Sequence, residues 1–344
     1  MKKFLFATMI FLFGMILLTS CSKNEQAAEN IEEEPNVETE EEMFERTFPL
    51  TGVPTNEEID HRPIAVAVNN APQARPQSGL NEADIVYEVL AEGGNITRFI
   101  AIYHSEKPDS IGPVRSARGY HIELSNGYDA LFVAHGWSPE AQVMLERERR
   151  ADFLQGLYHD GTYFKRSSDR VAPHNSYITY KSAWEGLSEK GYDMYREIEP
   201  LSFLTEEEIA ELIGENGKKV SIQYNDYNVS YTFDENENVY YRSSDGIETA
   251  DYVTGQPLKV NNVFIVEMYH QVVDSEGRLK IDLTSGGEGI LLQNGIYQYV
   301  QWENRNGRIL PVINGEVVKF VPGKTWINIV QNLSKVTLLD EANT

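Results

Sequence analysis

Three arginines near glycine-rich turns are the strongest candidates for binding chemistry. Arg98 follows one such turn, and Arg115, Ser116 and Arg118 follow the bend at Gly112-Pro113. Guanidinium groups bind phosphate and carboxylate through two parallel hydrogen bonds. If a helix begins here, Arg115 and Arg118 share one face, and Ser116 and free backbone N–H groups add donors. The pattern predicts an anion-binding site. The alternative is that each arginine pairs with a structural acid, such as Asp84, Glu88 or Glu92.

Two of the seven histidines lie at loop positions that favour functional sites. His135 follows an apolar run that predicts a core strand, and His174 lies in the segment Ala172–Asn175. Either histidine can act as an acid or base or hold a substrate oxygen. The alternative is a structural loop histidine, which needs only one hydrogen bond. Because no metal-binding spacing such as His-x-x-x-His occurs, no metal site is predicted.

The sequence lacks the common signatures of covalent or nucleotide-dependent catalysis. It contains no Gly-x-Ser-x-Gly elbow, Walker loop, dinucleotide-binding glycine turn or Cys-x-x-Cys pair. Its single cysteine, Cys21, is a predicted lipid carrier, so a cysteine nucleophile is excluded. No cofactor is predicted, and a binding or regulatory protein is favoured over an enzyme.

The first twenty residues have the pattern of an export signal. Lys2-Lys3 precede an apolar run from Phe4 to Leu18, and small residues lead to Cys21. The quartet Leu18–Cys21 resembles a bacterial lipobox, which implies cleavage before Cys21 and a diacylglycerol on its thiol. The alternative is an uncleaved membrane anchor, but this run is shorter than the ~20 residues that a span needs. The pattern therefore predicts a lipid anchor at the outer face of the plasma membrane.

Composition and charge narrow the class of protein further. The chain of 344 residues has 53 Asp and Glu against 30 Lys and Arg, for a formal net charge of −23. An acidic surface repels phosphate, which disfavours nucleic-acid binding. The hydrophobic share of 41% is enough for a packed core. Residues 21–48 contain ten glutamates, which predicts a disordered acidic tether between the lipid and the fold.

The elements that position the candidate residues follow from apolar runs and capping residues. Within residues 49–200, the predicted strands are 64–68, a hairpin over 84–103, and 131–134. The predicted helices run from Ser138 to Arg150 and from Tyr180 to Lys190. This mixture predicts an α/β domain.

A short capped helix is predicted over Thr205–Ile213. After it, the sequence pattern changes from mixed helices and strands to strands alone. Residues 220–340 contain many short β-rich runs, and turn dipeptides separate several of them: Asn294-Gly295, Asn306-Gly307 and Asn314-Gly315. The sequence therefore predicts an α+β fold, in which an N-terminal mixed α/β domain over 49–200 precedes a mostly antiparallel β domain over 220–340.

Several segments together resemble one protein family. They include Arg62–Val66, Ala74–Leu80, Ala83–Glu88, Ile111–Arg118, Ala172–Asn175 and Pro322–Ile327. These segments resemble the YerB family of lipoproteins from Gram-positive bacteria, over about 50–340. The resemblance implies two family domains, the second beginning near 225–230, and a lipoprotein anchor, but no known reaction.

Two functional hypotheses remain open. The favoured one is a membrane-anchored binding or regulatory protein that acts on cell-envelope machinery, such as cell-wall synthesis enzymes. The alternative is an enzyme or binder for an anionic envelope glycopolymer or a lipid-linked phosphate, which would use Arg98, Arg115 and Arg118.

Overall fold

The computed structural model describes residues 44–339. The signal peptide predicted over 1–20, the lipidation site Cys21 and most of the tether predicted over 21–48 lie outside the described residues. Within the described range, no helix is long and apolar enough to cross a membrane.

Ordered structure begins inside the range predicted for the tether. Strand β1 (Arg46–Thr47) pairs with β2 (Pro54–Thr55) in an antiparallel ladder. Phe48 follows β1 and is buried. The last residues of the predicted tether are therefore part of the fold.

The N-terminal half mixes strands with helices. Its further strands are β3 (Ile64–Asn69), β4 (Ile85–Leu90), β5 (Thr97–Tyr103), β6 (Leu131–Ala134), β7 (Phe153–Gln155), β8 (Lys165–Arg166) and β9 (Ser176–Tyr177). Its α-helices are α1 (Gly119–Asn126), α2 (Pro139–Gln142), α3 (Gly156–His159) and α4 (Tyr180–Glu189). Single helical turns of the 3-10 type cover Pro72–Ala74, Leu80–Glu82 and Glu92–Gly94.

The C-terminal half is mostly strands, with one short α-helix, α5 (Glu206–Ala210), before them and a 3-10 turn at Leu333–Lys335. The first group of strands is β10 (Glu215–Asn216), β11 (Lys219–Tyr224), β12 (Tyr227–Asp234), β13 (Val239–Ser244), β14 (Ile247–Glu248), β15 (Lys259–Val260), β16 (Asn262–Glu267) and β17 (His270–Val272). The second group is β18 (Leu279–Ile281), β19 (Gly287–Gln293), β20 (Ile296–Arg305), β21 (Arg308–Ile313), β22 (Glu316–Val317), β23 (Thr325–Val330) and β24 (Val336–Leu338).

One large sheet runs through both halves of the chain. Its strand order is β22-β21-β20-β19-β16-β23-β4-β5-β3-β6-β7, and β10 also pairs with β20. The halves join where β4 and β23 pair in parallel, with Ile85 opposite Thr325. The central strands β3, β4 and β5 are wholly buried, as expected for strands covered on both faces. The described residues accordingly form one compact unit.

A second sheet, with strand order β14-β13-β12-β11-β24 and β15 beside β13, covers the middle of the large sheet. Its strands alternate between buried and partly exposed positions, as a sheet with one packed face does. Two tyrosines of β12 reach the large sheet: the Tyr227 hydroxyl donates to Glu88 Oε1 at 2.7 Å, and Asn328 Nδ2 donates to the Tyr231 hydroxyl at 3.1 Å.

The predicted α+β fold class is confirmed, with helices among the N-terminal strands and mostly antiparallel pairing after them. The three Asn-Gly turns are confirmed as well. Both residues of each dipeptide have positive φ, and the turns join β19 to β20, β20 to β21 and β21 to β22.

Two helices begin where the sequence predicts. Ser138 Oγ accepts from the Ala141 N–H at 3.2 Å, but the α-helix ends at Gln142 and continues as a π-helical turn over Val143–Arg147. The end predicted at Arg150 is therefore wrong by three residues. Helix α4 follows its N-cap Thr179 and ends before Gly191, as predicted.

Candidate anion-binding site

The candidate residues meet at one edge of the large sheet. Strands β3, β4, β6 and β7 run in one direction and end at this edge, whereas β5 is antiparallel to β3 and β4 and begins there. Asn69 therefore lies opposite Arg98, and His135 follows directly after β6. In sheets with parallel strands, ligands commonly bind outside the carboxyl ends of the strands. We call this group the sheet-edge site, defined by Asn69, Arg98, Arg115, Arg118, His135 and His174.

One carboxylate holds two of the predicted arginines. Arg98 Nη2 donates to Glu92 Oε2 at 2.8 Å, and Arg118 forms an ion pair with the other oxygen of Glu92. The side chains of Arg98 and Arg118 are only 4% and 10% exposed. Arg98 Nη1 also donates to the Ser116 carbonyl at 3.1 Å. For these two arginines the structure shows pairing with a structural acid, and the acid is Glu92.

The condition under which Arg115 and Arg118 would share a helix face, a helix that begins at this segment, is not met. Helix α1 begins at Gly119, and Arg118 is its N-cap with an extended backbone at φ −128°. Upstream, the Arg115 N–H donates to the Ala67 carbonyl of β3 at 2.7 Å, and the Arg115 carbonyl accepts from His135 N–H at 3.1 Å. Arg115 and Arg118 therefore do not share a helix face, because this segment is held in extended form between the ends of β3 and β6.

Ser116 is near Arg115 but is not a helix-terminal donor. Its hydroxyl donates to the His135 carbonyl at 3.4 Å, and its side chain is close to Gly136, where φ is +97°. A side chain at residue 136 would strike the Ser116 hydroxyl, so glycine is required at that position.

Arg115 is the candidate arginine that no described residue neutralises. Its side chain is half-buried and makes no hydrogen bond or ion pair with any residue of the described range 44–339. Burial, and then the positive charge of Arg98, lower the pKa of Arg115. A partly desolvated charge without a counter-charge is costly. An anion from outside the protein would remove that cost.

His174 contributes an unused N–H donor close to Arg115. The Asn69 amide is oriented by the Ala71 N–H, which donates to Asn69 Oδ1 at 3.1 Å, so Asn69 Nδ2 donates to His174 Nδ1 at 2.8 Å. The proton of the neutral ring is then on Nε2, which has no partner among the described residues. Burial, followed by the charges of Arg115 and Arg170, lowers the pKa of His174. The neutral ring can therefore donate to an anion at pH 7.

Both ring nitrogens of His135 are already occupied. Arg166 Nη2 donates to His135 Nε2 at 2.9 Å, and because arginine only donates, His135 Nδ1–H donates to Ser176 Oγ at 2.7 Å. Burial, with Arg166 as the next cause, lowers the pKa of His135. Arg166 is itself paired with Asp160 at 2.9 Å. In this arrangement His135 positions Arg166, and neither of its nitrogens is free to take a proton from a substrate.

The sheet-edge site carries a local net positive charge, although the chain as a whole is acidic. Arg98 and Arg118 share Glu92, and Arg166 pairs with Asp160, whereas Arg115 and Arg170 form no ion pair with a described residue. Asp274, which also acts on Arg118, is itself paired with Arg278. The pairing leaves a surplus of positive charge. Such a local surplus attracts anions even when the net charge is negative. Among residues 44–339, no three His, Cys, Asp or Glu side chains are grouped as metal ligands.

The sequence left several contributors to the site unrecognised. Asn69 could have been recognised from the sequence, because it is the first polar residue after the apolar strand 64–68 and so lies at the end of that strand. Arg166 and Ser176 lie on the two-stranded ribbon of β8 and β9, and no local pattern marks them. The other acids considered as partners are used elsewhere: Asp84 accepts from Ser105 and the His104 N–H, and Glu88 pairs with Arg242.

The comparisons with known proteins agree with the resemblance in the sequence. Residues 50–193 match the family model "Protein of unknown function (DUF3048) N-terminal domain", and residues 220–327 match the model of the DUF3048 C-terminal domain. A Bacillus subtilis (strain 168) protein described as "Putative lipoprotein YerB" is 48% identical over 295 residues, which cover 84% of this chain and 88% of that protein. The crystal structure of YerB from Bacillus subtilis is similar with a TM-score of 0.80 and 46% identity, and the match covers 86% of this chain and all of that one. This chain therefore belongs to the YerB family, in which the N- and C-terminal DUF3048 domains occur together.

Proposed function

We propose that this protein is a membrane-anchored lipoprotein that binds an anionic component of the cell envelope at the sheet-edge site. The observation that carries the proposal is the half-buried Arg115 guanidinium, which has no partner in the described range. The unused Nε2–H of His174 lies near enough for the two groups to interact electrostatically.

The anchor rests on the sequence around Cys21 and on the description of the Bacillus subtilis relative as a lipoprotein. Acyl chains on Cys21 would hold the acidic body at the outer face of the plasma membrane, because burying two or more chains gives stable anchoring. Mass spectrometry of the N-terminal peptide should show a diacylglycerol on Cys21. A Cys21→Ser variant should leave the membrane fraction. An unmodified cysteine in the native protein would contradict the anchor.

The chemistry of the site favours a phosphate or carboxylate ligand. A guanidinium can make two parallel hydrogen bonds to either group, and an imidazole N–H adds a third donor from another direction. In the envelope such groups occur on anionic glycopolymers and on lipid-linked phosphates. Both nitrogens of His135 are engaged, so binding fits the site better than acid–base catalysis does. In this proposal, ligand binding at the site regulates the cell-wall machinery.

Titration calorimetry with inorganic pyrophosphate tests the binding site. The full chain, kept in detergent, should bind saturably, and Arg115→Gln should weaken binding about tenfold or more, as the loss of a charge-assisted contact does. Arg196→Gln is the matched control, because Arg196 is exposed and paired with Asp129 at 2.6 Å. Equal affinity in all three proteins, or no saturable heat, would contradict the proposal.

The source of the anion is a separate question with its own test. Vesicles that contain a lipid-linked phosphate and a soluble anionic glycopolymer can each compete with pyrophosphate. Competition by the vesicles alone assigns the ligand to the lipid, and competition by the polymer alone assigns it to the wall. Competition by neither would contradict an envelope ligand, even if pyrophosphate itself binds.

A further inference from the structure

A cavity lies at the opposite edge of the same strands from the sheet-edge site. Strand β3 begins and β5 ends at this edge, whereas Asn69 and Arg98 lie at the other ends of these strands. A strand of six residues separates the two edges by roughly 20 Å. The cavity measures about 570 Å³. It is lined by the segment before β3, the segment after β5, helix α4 and Tyr195.

Aromatic rings form the wall of this cavity around Trp184. Tyr180 stacks on Trp184 with an interplanar angle of 15°, while Tyr195 and His61 meet it edge-on at 77° and 73°. The centroid distances lie between 5.8 and 6.2 Å. Trp184 is half-buried, and Tyr195 is 60% exposed. The wall therefore presents aromatic surface to a ligand, and packing between the rings holds them in position.

The rim of the cavity is negative. Four carboxylates and two ammonium groups line it, namely Glu57, Glu58, Asp60 and Asp109 against Lys107 and Lys181. Both lysines have acidic partners, since Lys107 pairs with Glu57 at 3.6 Å and Lys181 with Glu185 at 3.9 Å. Within residues 44–339, the side chains of Glu58, Asp60 and Asp109 make no hydrogen bond or ion pair.

We propose that this cavity binds an organic ammonium group, such as the primary amine of an envelope component. Aromatic faces attract cations through their quadrupole, and Trp is the best of them. The unpaired carboxylates Asp60 and Asp109 add charge complementarity at the same opening. A neutral sugar could also stack on Trp184, but it would not need the excess of carboxylates around the rim.

Side-chain NMR of the tryptophan indoles is the direct test. The full chain in detergent is titrated with 1,5-diaminopentane and with tetramethylammonium, and the Trp184 indole signal should shift saturably. The double variant Asp60→Asn/Asp109→Asn should weaken binding about fivefold. Tyr195→Ala should weaken it too, and this exposed ring can be removed without opening the core.

A charge-matched control separates specific binding from general attraction. The double variant Asp226→Asn/Glu276→Gln also removes two negative charges, but at exposed positions away from the cavity. It should leave the affinity for the ammonium probes unchanged. An equal loss in both double variants would overturn the proposal, and so would a Trp184 signal that responds to no ammonium probe. A larger response to glucose than to the amines would assign the cavity to sugars instead and would also overturn it. Because the cavity is remote from Arg115, Arg115→Gln should bind the amines normally.

Discussion

Glu88 and Arg242 form a buried ion pair that joins the two family domains of the chain. Arg242 Nη2 donates to Glu88 Oε2 at 2.9 Å, and the two side chains are 2% and 0% exposed. The Tyr227 hydroxyl and the Trp326 indole N–H also donate to Glu88, at 2.7 and 3.2 Å. Glu88 belongs to β4 of the large sheet and Arg242 to β13 of the second sheet. The carboxylate is thus satisfied by residues that are distant in the sequence.

Removing one member of this pair should destabilise the whole fold. Glu88→Gln leaves the buried Arg242 guanidinium without a counter-charge, which costs about 3–5 kcal/mol of unfolding free energy. Urea denaturation of the full chain measures this loss. Glu237→Gln, which breaks the solvent-exposed pair with Lys259, should cost far less, because water screens the two charges. Similar losses in both variants would show that the buried pair is not a structural link.

The arginines of the sheet-edge site should separate into two classes by stability. Arg118→Ala removes a largely buried side chain and leaves Glu92, which is 24% exposed, with Arg98 as its guanidinium partner, so we expect a loss of about 1–3 kcal/mol. Arg115→Ala removes no hydrogen bond or ion pair with a described residue, so we expect a loss of about 1 kcal/mol or less, from packing alone. Thermal melting of both variants checks the difference. A collapse of Arg115→Ala would mean that Arg115 is structural.

Acid should destabilise the fold through His61 and His104. Their rings stack at 4.3 Å, and each Nε2–H donates to the other residue's carbonyl at 3.0 Å. Burial, and then the neighbouring His61, lower the pKa of His104 from 6.5 to about 4. The neutral ring therefore contributes stability that is present above pH 6.5 and is lost as the pH falls towards 4.

The difference between the wild-type protein and His104→Gln isolates this effect. Between pH 6.5 and 4 the wild type should lose about 3 kcal/mol more unfolding free energy than the variant. Denaturant unfolding at a series of pH values gives both curves. Parallel curves would show that His104 does not titrate abnormally in the fold.

The features that local chemistry determines were predictable from the sequence. The strand over 64–68, the hairpin over 84–103 and the Asn-Gly turns depend on a few neighbouring residues, and all of them occur. Strand β21 is harder to recognise, because Pro311 interrupts its apolar pattern; in the structure Pro311 pairs opposite Trp302 near the edge of the sheet.

Long-range pairing was not predictable in the same way. The parallel contact of β4 with β23 joins residues that are more than two hundred positions apart, and no local pattern specifies it. The ion-pair partners of the arginines could not be predicted either, because they too depend on residues brought together by the fold. Their clustering suggested an anion site, but only the positions of Glu92 and the extended segment before α1 show which arginines are paired.

The Arg115 side chain itself offers the most direct test of the central claim. The Nε–Hε signal of Arg115 can be followed by NMR while inorganic pyrophosphate is added to the full chain in detergent. We predict a saturable shift of this signal, with no shift for Arg62, whose guanidinium is buried against Asp129 and Asp152. An Arg115 signal that does not respond, or that moves no more than the Arg62 signal, would contradict the account.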